Sequence, residues 1–283
     1  MAAVLTPGQI EHYRAEGFVA GVPVFTPAEC ARFWQTAELF RAGHPEDRDW
    51  AFDIKCNLLF DWVYDNATHA RLLDTVTELL GDDFFLTDSV FRIKEPGSGT
   101  HYGWHQDSAR IVVDPAPAIV YVAISDATVE NGCLAVIPGS HDRVHPFDLV
   151  ENPGQAHRQV ARLREVDPSR AVYMELRPGE IAIFSANVVH GSAPNRSSAA
   201  RVAILHDYTP TAGRQSVGRG SGQLVRGHDR FGHFAHEPAP STDFEANVLA
   251  RRRILMEYPE NILMGPLEPG ASPDFPDRRL VGA

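Results

Sequence analysis

Cysteine is scarce in this sequence, and the spacing of its cysteines excludes two classes of protein. Cys30, Cys56 and Cys133 are the only three among 283 residues. Three isolated thiols are too few for a disulfide framework and too far apart for a zinc site built on paired cysteines. The sequence therefore predicts a protein of a reducing compartment rather than a disulfide-stabilised secreted domain.

Long apolar runs are also missing. No stretch approaches the roughly 18 apolar residues that a transmembrane helix requires. The first residues, MAAVLTPGQIEHY, lack the basic flank and the apolar segment of a targeting peptide. We therefore expect a cytoplasmic protein without a membrane partner.

Positive charge is in deficit. Lysine and arginine together number 26 against 37 acidic residues, which gives a formal net charge of −11. A surface for nucleic acid would need a local basic patch that works against this overall field. The densest basic run, Arg251 to Arg253, falls in a predicted helix and is typical of a solvated helix face. No nucleic-acid partner is expected.

The residues that are present indicate one globular domain over residues 1–283. The hydrophobic fraction of 43% and the charged fraction of 22% are those of an ordinary soluble protein with a sizeable core. The N-terminal part, about residues 6–80, is predicted to be helical, because Thr-Pro pairs at 6–7 and 26–27 are helix-start signals. Apolar residues have helical spacing in three segments of it: 7–16, 28–41 and 67–80.

Short β-branched and aromatic runs dominate from about residue 82 to residue 210. They are separated by turn residues and read FFLTDSVFRIKEP, AIVYVAIS, GCLAVIP, AVYMEL, EIAIFS and RVAILHDYTP. This pattern is typical of a mainly antiparallel β-sandwich or barrel and argues against a doubly wound parallel sheet. Residues 211–265 are predicted to hold a lid-like insert and a C-terminal helix, and residues 266–283 an irregular tail. Within the insert, AGRQSVGRGSGQ at 212–223 is predicted to be a mobile connection, either a lid or a plain surface loop.

Two histidines and an aspartate could form a metal site. His105 and Asp107 are two residues apart in HYGWHQDSARI, so on an extended strand both side chains would point to one side. A later segment, FSANVVHGSAPNRSSAARVAIL, contains His190 and, eleven residues on, Arg201. Two histidines and one carboxylate fill one face of an octahedral ferrous ion and leave three positions for a 2-oxo acid and O₂. A guanidinium can pair with the distal carboxylate of that acid. Arg201, on an apolar strand, suits this role better than Arg196, in a turn.

These motifs resemble one enzyme family. The HQD triplet, ENGCLAVIPGSH, PGEIAIFSANVVHGSAPNRS and the N-terminal HYRAEGFVAGVPVFTPAEC are similar to phytanoyl-CoA hydroxylase-like 2-oxoglutarate oxygenases. The order of the elements agrees from about residue 9 to residue 208. The resemblance implies a mainly β fold, a double-stranded β-helix (a cupin-like jelly roll) with N-terminal buttressing α-helices. It also implies Fe(II), the cosubstrate 2-oxoglutarate and O₂.

The resemblance assigns His105, Asp107 and His190 as iron ligands and catalytic residues. Relatives that transfer chlorine have lost the carboxylate, so that a halide can take its place on the iron. Because Asp107 is present, hydroxylation, desaturation or epoxidation is favoured over halogenation.

The resemblance also implies four contacts with the cosubstrate. Arg201 would bind the distal carboxylate of 2-oxoglutarate, and Ser192 would assist it. Tyr121 stands where the family often has a tryptophan near the cosubstrate. Lys55 falls near a lysine that contacts the cosubstrate in some members.

Contacts with the substrate are less constrained. Candidates lie around the HxD pair and in the segment after residue 209: Phe91, Ile93, Trp104, Arg110, Arg226, His228 and Arg230. If the last three faced the mouth of the barrel, an anionic substrate would follow, and if they faced solvent, nothing would follow. A small anionic or secondary-metabolite substrate is expected, either free or tethered to coenzyme A or a carrier protein.

Two other classes of protein are alternatives to the oxygenase. A metal-dependent barrel enzyme without a cosubstrate often draws three or four histidines from the barrel and has no need of Arg201 or Ser192. A non-catalytic binding relative would be expected to have lost a metal ligand. All three ligands and the arginine are present, which favours the oxygenase.

Overall fold

The computed structural model of the chain describes residues 3–109, 111–151 and 159–259. Five helices precede most of the strands and a sixth follows them: α1 (Pro7–Glu16), α2 (Pro27–Gly43), α3 (Arg48–Ala51), α4 (Asp61–Ala67), α5 (Ala70–Leu80) and α6 (Phe244–Glu257). Within the described ranges, none of the helices combines the length and the apolar character needed to cross a lipid bilayer.

The first two helices begin where the Thr-Pro pairs predict. Thr6 and Thr26 each accept a hydrogen bond from the backbone N–H three residues on, and the side chains of Gln9 and Glu29 return a bond to the cap backbone. The helix predicted at 67–80 is α5 over Ala70–Leu80, and a further helix that was not predicted, α4, precedes it over Asp61–Ala67. The hydroxyl of Thr68 donates to the carbonyl oxygen of Tyr64 at 2.8 Å, and α4 ends there.

The strands of the described residues alternate with short turns: β1 (Phe18–Pro23), β2 (Phe84–Lys94), β3 (Tyr102–His105), β4 (Val113–Asp114), β5 (Ala118–Ala123), β6 (Leu134–Val136), β7 (Phe147–Glu151), β8 (Gln159–Leu163), β9 (Val172–Met174), β10 (Glu180–Ser185), β11 (His190–Ser192), β12 (Arg201–Pro210), β13 (Arg214–Gln215), β14 (Ser221–Arg226) and β15 (Ala235–His236). They form a seven-stranded sheet in the order β1-β10-β5-β12-β2-β14-β15 and a four-stranded sheet in the order β3-β11-β6-β9. Two two-stranded ribbons, β4 with β13 and β7 with β8, complete the set.

The two larger sheets pack face to face, and helices cover the outer face of the seven-stranded sheet. One buried cluster joins β5, β10 and β12 to β6 and β9 and so fills the space between the sheets. A second cluster joins the other face of the large sheet to α2, α4 and α5. This layering confirms the predicted jelly roll with N-terminal buttressing helices.

Strand alternation divides β12 between these two layers. Val202, Ile204 and Tyr208 belong to the cluster under the helices. Arg201 and Leu205 point the opposite way, into the space between the sheets, as the two-residue period of a strand requires. The interior face of β12 is therefore the face that carries the site residues.

The β region extends beyond residue 210. The segment at 212–223, predicted to be a mobile lid or a surface loop, contributes strands: β13 pairs with β4, and β14 pairs with β2. Its backbone hydrogen bonds make it part of the sheets. The helix predicted in 211–265 is α6, and the tail predicted at 266–283 lies outside the described residues.

Lys55 anchors the C-terminal strands to the rest of the core. Its Nζ lies 2.7 Å from Oε1 of Glu237, and both side chains are 1% exposed. It also donates to the carbonyl oxygens of Thr87 and Ser221. The expectation that Lys55 contacts the cosubstrate is therefore wrong for this structure, because its ammonium group is already engaged by a buried carboxylate and two carbonyls.

Replacing Lys55 by methionine should lower the free energy of unfolding by about 3–5 kcal/mol, because Glu237 would remain buried without its partner. The double variant Lys55→Met/Glu237→Leu should recover most of this loss, since it removes both buried charges. Urea denaturation of the three proteins checks this. Equal stability of Lys55→Met and the wild type would contradict a stabilising role for the pair.

His206 is a second buried titratable group, fully enclosed between the sheet and the helices. Its Nδ1 lies 2.8 Å from Ser89 Oγ, and its Nε2 lies 2.9 Å from Asn66 Oδ1. Burial lowers the pKa of His206 to about 3, far below that of an exposed histidine. The ring is therefore neutral at pH 7 and holds the sheet to the helix layer.

Acidification should destabilise the protein through this histidine. Between the unfolded pKa of about 6.5 and the folded pKa of about 3, the unfolded chain binds the extra proton, so stability falls as the pH drops through this window. In His206→Gln the fall in the free energy of unfolding between pH 6.5 and pH 4 should be smaller than in the wild type, by up to about 1.4 kcal/mol per pH unit. Urea denaturation at several pH values checks this, with the exposed His228→Gln as the control. An unchanged slope in His206→Gln would contradict it.

Candidate active site

Two paired strands bring the two histidines together. His105 is the last residue of β3, His190 is the first residue of β11, and the two are direct partners in the antiparallel ladder. Their ring centroids are 4.2 Å apart. Side chains that oppose each other on neighbouring strands share one face of the sheet, so both imidazoles point into the jelly roll.

Asp107 completes the group from a different element. The sequence pattern placed His105 and Asp107 on one extended strand, but β3 ends at His105 and Asp107 begins a 3₁₀ turn over Asp107–Ala109. Its Oδ1 is 3.4 Å from Nε2 of His105, and its Oδ2 is 3.6 Å from Nε2 of His190. One ligand atom from each of the three residues lies within 4.8 Å of the other two.

The backbone sets the orientation of both imidazoles. Nδ1 of His105 is 2.7 Å from the carbonyl oxygen of Gly103, and Nδ1 of His190 is 3.0 Å from that of Val188. A carbonyl oxygen only accepts, so each Nδ1 carries the proton and each Nε2 directs its lone pair at the space beside Asp107. This is the tautomer that a metal ligand needs.

The charges of the group suit a divalent cation. Burial, together with the neighbouring His105, lowers the pKa of His190 to about 4, so the ring is neutral at pH 7. Burial by itself would raise the pKa of Asp107, but the two histidines outweigh it and lower the pKa below the usual value. The neutral imidazole of His190, the imidazole of His105 and one carboxylate therefore face a common point.

Gln106, between two of the candidate ligands, was missed by the sequence analysis. Its Nε2 donates to the carbonyl oxygens of Asn187 and Arg143, and its Oε1 accepts from the backbone N–H of His145. Gln106 is 2% exposed and ties the strand end of His105 to the loop before His190. Its position between the ligands was the signal that could have identified it.

The three candidate ligands line a cavity of about 500 Å³ that also contains a buried arginine. Arg201 is 2% exposed, and its Nη1 donates to Tyr121 Oη at 3.1 Å and to the carbonyl oxygen of Gly132 at 3.3 Å. Among the described residues, no carboxylate lies within ion-pair distance of it, and its Nε has no hydrogen-bond partner. A buried guanidinium without a carboxylate partner favours an anionic ligand.

Ser192 lies in the same cavity, with a lysine behind it that the sequence analysis did not single out. Nζ of Lys94 is 2.6 Å from Ser192 Oγ and 3.2 Å from the carbonyl oxygen of Ser192. Lys94 is 1% exposed, and burial together with the nearby Arg201 lowers the pKa of Lys94 to about 6. This lysine, rather than Lys55, lies behind the wall of the cavity.

Three of the predicted substrate contacts point away from the cavity, so these predictions are wrong. Phe91 and Ile93 are on the face of β2 that packs under the helices, and their neighbour Arg92 faces the cavity instead. Successive side chains of a strand point to opposite faces, so an error of one residue assigned the wrong face of β2 to the cavity. Trp104 alternates with His105 on β3 and packs against the cluster that contains Ile137. Arg110 lies outside the described residues.

The three later cations do not form an anion site at the cavity. Arg226 pairs with Asp74 at 2.8 Å, and Arg230 lies 3.7 Å from Asp83 with its side chain 71% exposed. His228 is exposed, and its backbone N–H donates to Asp83. Arg226, His228 and Arg230 therefore give no support for an anionic substrate.

Fold and site together define a class of protein: a jelly roll whose two sheets enclose two histidines, one carboxylate and a buried arginine. The family model that describes phytanoyl-CoA dioxygenase (PhyH) matches residues 13–203, which contain all four of these residues. The chain belongs to the phytanoyl-CoA dioxygenase family.

Individual relatives agree with this assignment. The phytanoyl-CoA dioxygenase domain-containing protein 1 of Danio rerio is 33% identical over 158 residues, which cover 53% of this chain and 52% of that protein. The chain thus spans about half the length of the curated relatives that it matches. Among solved structures, the apo form of the non-heme monooxygenase ThoJ has a TM-score of 0.79 at 26% identity, covering 90% of this chain and 97% of ThoJ. CytC3 with Fe(II) and alpha-ketoglutarate shares the fold, with a TM-score of 0.63 at 21% identity, covering 86% of this chain and 97% of CytC3.

Asp107→Asn and His190→Gln should each weaken the binding of a divalent metal by at least about tenfold, because each removes one of three converging donor atoms. Titration with Co(II), followed by visible absorption, measures the affinity. Glu38→Gln, which removes an exposed carboxylate on α2, should bind as the wild type does. Unchanged affinity in both site variants would show that the metal binds elsewhere.

Proposed function

We propose that this protein is an Fe(II)- and 2-oxoglutarate-dependent oxygenase that hydroxylates a C–H bond of a small substrate. In the overall reaction, substrate, O₂ and 2-oxoglutarate give hydroxylated substrate, succinate and CO₂. The buried Arg201 carries the proposal, because it lies in the same cavity as the three candidate ligands and has no carboxylate of its own.

The residues present fit both the metal and the cosubstrate. Nε2 of His105, Nε2 of His190 and the Asp107 carboxylate make the two-histidine, one-carboxylate set that suits ferrous iron and leaves coordination positions for other ligands. Iron in this set supplies the activation of O₂ when bound. The guanidinium of Arg201 would pair with the distal carboxylate of 2-oxoglutarate. This carboxylate would balance the positive charge of Arg201, which has no carboxylate partner among the described residues.

The surroundings of Arg201 would position that carboxylate. Tyr121 Oη accepts a hydrogen bond from Nη1 of Arg201 and so limits the rotation of the guanidinium. Ser192 Oγ lies on the same side of the cavity, supported by Nζ of Lys94. Leu134 and Leu205 add apolar walls that limit water around the ion pair.

Two further observations support an oxygenase that hydroxylates. The chain resembles ThoJ, a non-heme monooxygenase, over 90% of its length. Asp107 is present and points at both histidines, so a carboxylate occupies the position that chlorine-transferring relatives leave open. Hydroxylation is therefore proposed ahead of halogenation, and desaturation or epoxidation would appear as different products of the same cosubstrate turnover.

Anaerobic titration with Fe(II) and then 2-oxoglutarate tests the proposal through the weak visible charge-transfer band of the chelate. The band should require both components and should be lost in Asp107→Ala. Arg201→Ala should raise the dissociation constant of 2-oxoglutarate by about 100-fold, because it removes a charge-assisted fork, and Tyr121→Phe by about fivefold.

Arg196→Ala is the matched control, since Arg196 is an exposed arginine in the turn before β12. It should bind 2-oxoglutarate as the wild type does. A metal-loaded wild type without the band would reject the proposal and favour a barrel enzyme that uses no cosubstrate. A band that depends on Arg196 instead of Arg201 would reject the assignment of the anchor.

A further inference from the structure

A second cavity lies near the candidate metal ligands. Its wall includes Ser108 and Ala186. Ser108 directly follows Asp107, and its backbone N–H donates to the carbonyl oxygen of Ala186 at 3.2 Å. The wall of the second cavity therefore includes the residue that directly follows a candidate metal ligand.

A β-bulge brings two successive side chains of β2 to this cavity. In the pairing of β2 with β12, Asp88 is opposite Asp207 and Leu86 is opposite Tyr208, so Thr87 is an extra residue on β2. A bulge of this kind re-aims the side chains beside it. Thr87 and Asp88 both line the cavity as a result.

Asp207 lies across the ladder from Asp88, on the interior face of β12. That face carries Arg201 and Leu205 at the first cavity and Thr209 at the second, so Asp207 lies between the two. Asp207 is 8% exposed, and no described residue makes a hydrogen bond or ion pair with its carboxylate. It is a buried carboxyl group to which no described part of the chain donates a hydrogen bond.

The cations nearby are already shared with other carboxylates. Lys55 lies against Glu237 at 2.7 Å, and Arg92 pairs with Asp53 at 3.2 Å. Asp88 accepts the backbone N–H of Lys55 at 2.6 Å. Lys55 and Arg92 are thus each ion-paired with another carboxylate, and among the described residues neither Asp88 nor Asp207 has a cation within ion-pair distance.

This arrangement raises the pKa of both carboxyl groups. Burial raises the pKa of Asp88 to about 6 and raises that of Asp207 well above the usual value. Burying a carboxylate without a partner is costly, so such a group persists where a ligand satisfies it. A ligand that brings a positive charge would do so.

We propose that this second cavity binds the protonated amine or guanidine of the substrate, with Asp207 and Asp88 as its partners. The substrate class is therefore a small organic cation, whose remaining carbon chain extends past Ser108 toward the metal ligands. This assignment rests on the proposed oxygenase function for the chemistry, and on the cavity and its carboxylates for the binding. It replaces the expected anionic substrate.

The assignment also explains how the cosubstrate and the substrate would bind at different ends of the same interior. The cosubstrate carries two carboxylates and meets Arg201, with Lys94 behind the same wall. A cationic substrate is repelled at that end and attracted to the Asp88 and Asp207 end. The interior face of β12 carries both charges six residues apart, so the polarity belongs to one strand.

Isothermal titration calorimetry with three matched probes tests the assignment: hexylammonium chloride, sodium hexanoate and hexan-1-ol. The titrations use the metal-loaded, anaerobic protein with saturating 2-oxoglutarate and are repeated on the metal-free protein. Hexylammonium should bind at least about tenfold more tightly than the other two, because only it forms charge-assisted hydrogen bonds with the carboxylates. Hexanoate binding that disappears in Arg201→Ala belongs to the first cavity.

Asp207→Asn and Asp88→Asn keep the shape of the side chains and remove the charges. Each should weaken hexylammonium by about tenfold, whereas Glu38→Gln should leave it unchanged. Asp207→Asn should also keep or raise the melting temperature, since it removes an unpaired buried carboxylate, whereas a purely structural role for Asp207 predicts a lower one.

Equal binding of the three probes, preference for hexanoate in the Arg201→Ala background, or no binding of hexylammonium up to its solubility limit would each overturn the assignment. Its failure is distinct from failure of the oxygenase function. A charge-transfer band without selectivity for ammonium rejects only the cationic substrate. Ammonium binding that depends on Asp207, in a protein without the band, rejects only the oxygenase.

Discussion

The antiparallel pairing of β3 with β11 is the constraint on which the rest of the site depends. Because His105 and His190 are direct partners across this ladder, their imidazoles share one face and meet 4.2 Å apart. The carbonyl oxygens of Gly103 and Val188 then fix both tautomers from within the same two chain segments. A slip of one residue in this pairing would turn one imidazole out of the jelly roll.

Buried ionisable groups without an ion-pair partner are the second organising feature of the jelly roll. Arg201 and Asp207 are both buried on the interior face of β12, and the described residues offer neither a charged partner. Such groups lower the stability of the empty protein, and they are tolerated because the hydrophobic layers on both sides of the large sheet hold it in place. We expect Arg201 and Asp207 to lower the stability of the protein. We also expect them to select ligands of opposite charge at the two ends of β12.

The two cavities draw on different parts of the chain. The candidate metal ligands and Arg201 lie within residues 13–203, the part that the family model matches. The second cavity takes Thr209, Gln215, Ser221 and Phe234 from beyond that part. The ion pair of Lys55 with Glu237 ties these later strands to the core. The second cavity thus combines residues within the family-matched part with residues that follow it.

The sequence by itself determined the elements with local causes: the capped starts of α1 and α2, the β-rich texture after residue 82, and the residue types of a two-histidine, one-carboxylate site. These follow from spacing, capping and motif, which are properties of neighbouring residues. Only the tertiary structure decided which face of β2 meets the cavity, so that Arg92 replaced Phe91 and Ile93 there. It also decided that Lys94 and not Lys55 contacts Ser192 in the wall of the first cavity, and that the bulge at Thr87 brings Thr87 to the second cavity beside Asp88. Register, bulges and the pairing of buried charges are set by contacts between residues far apart in the chain, which no local pattern records.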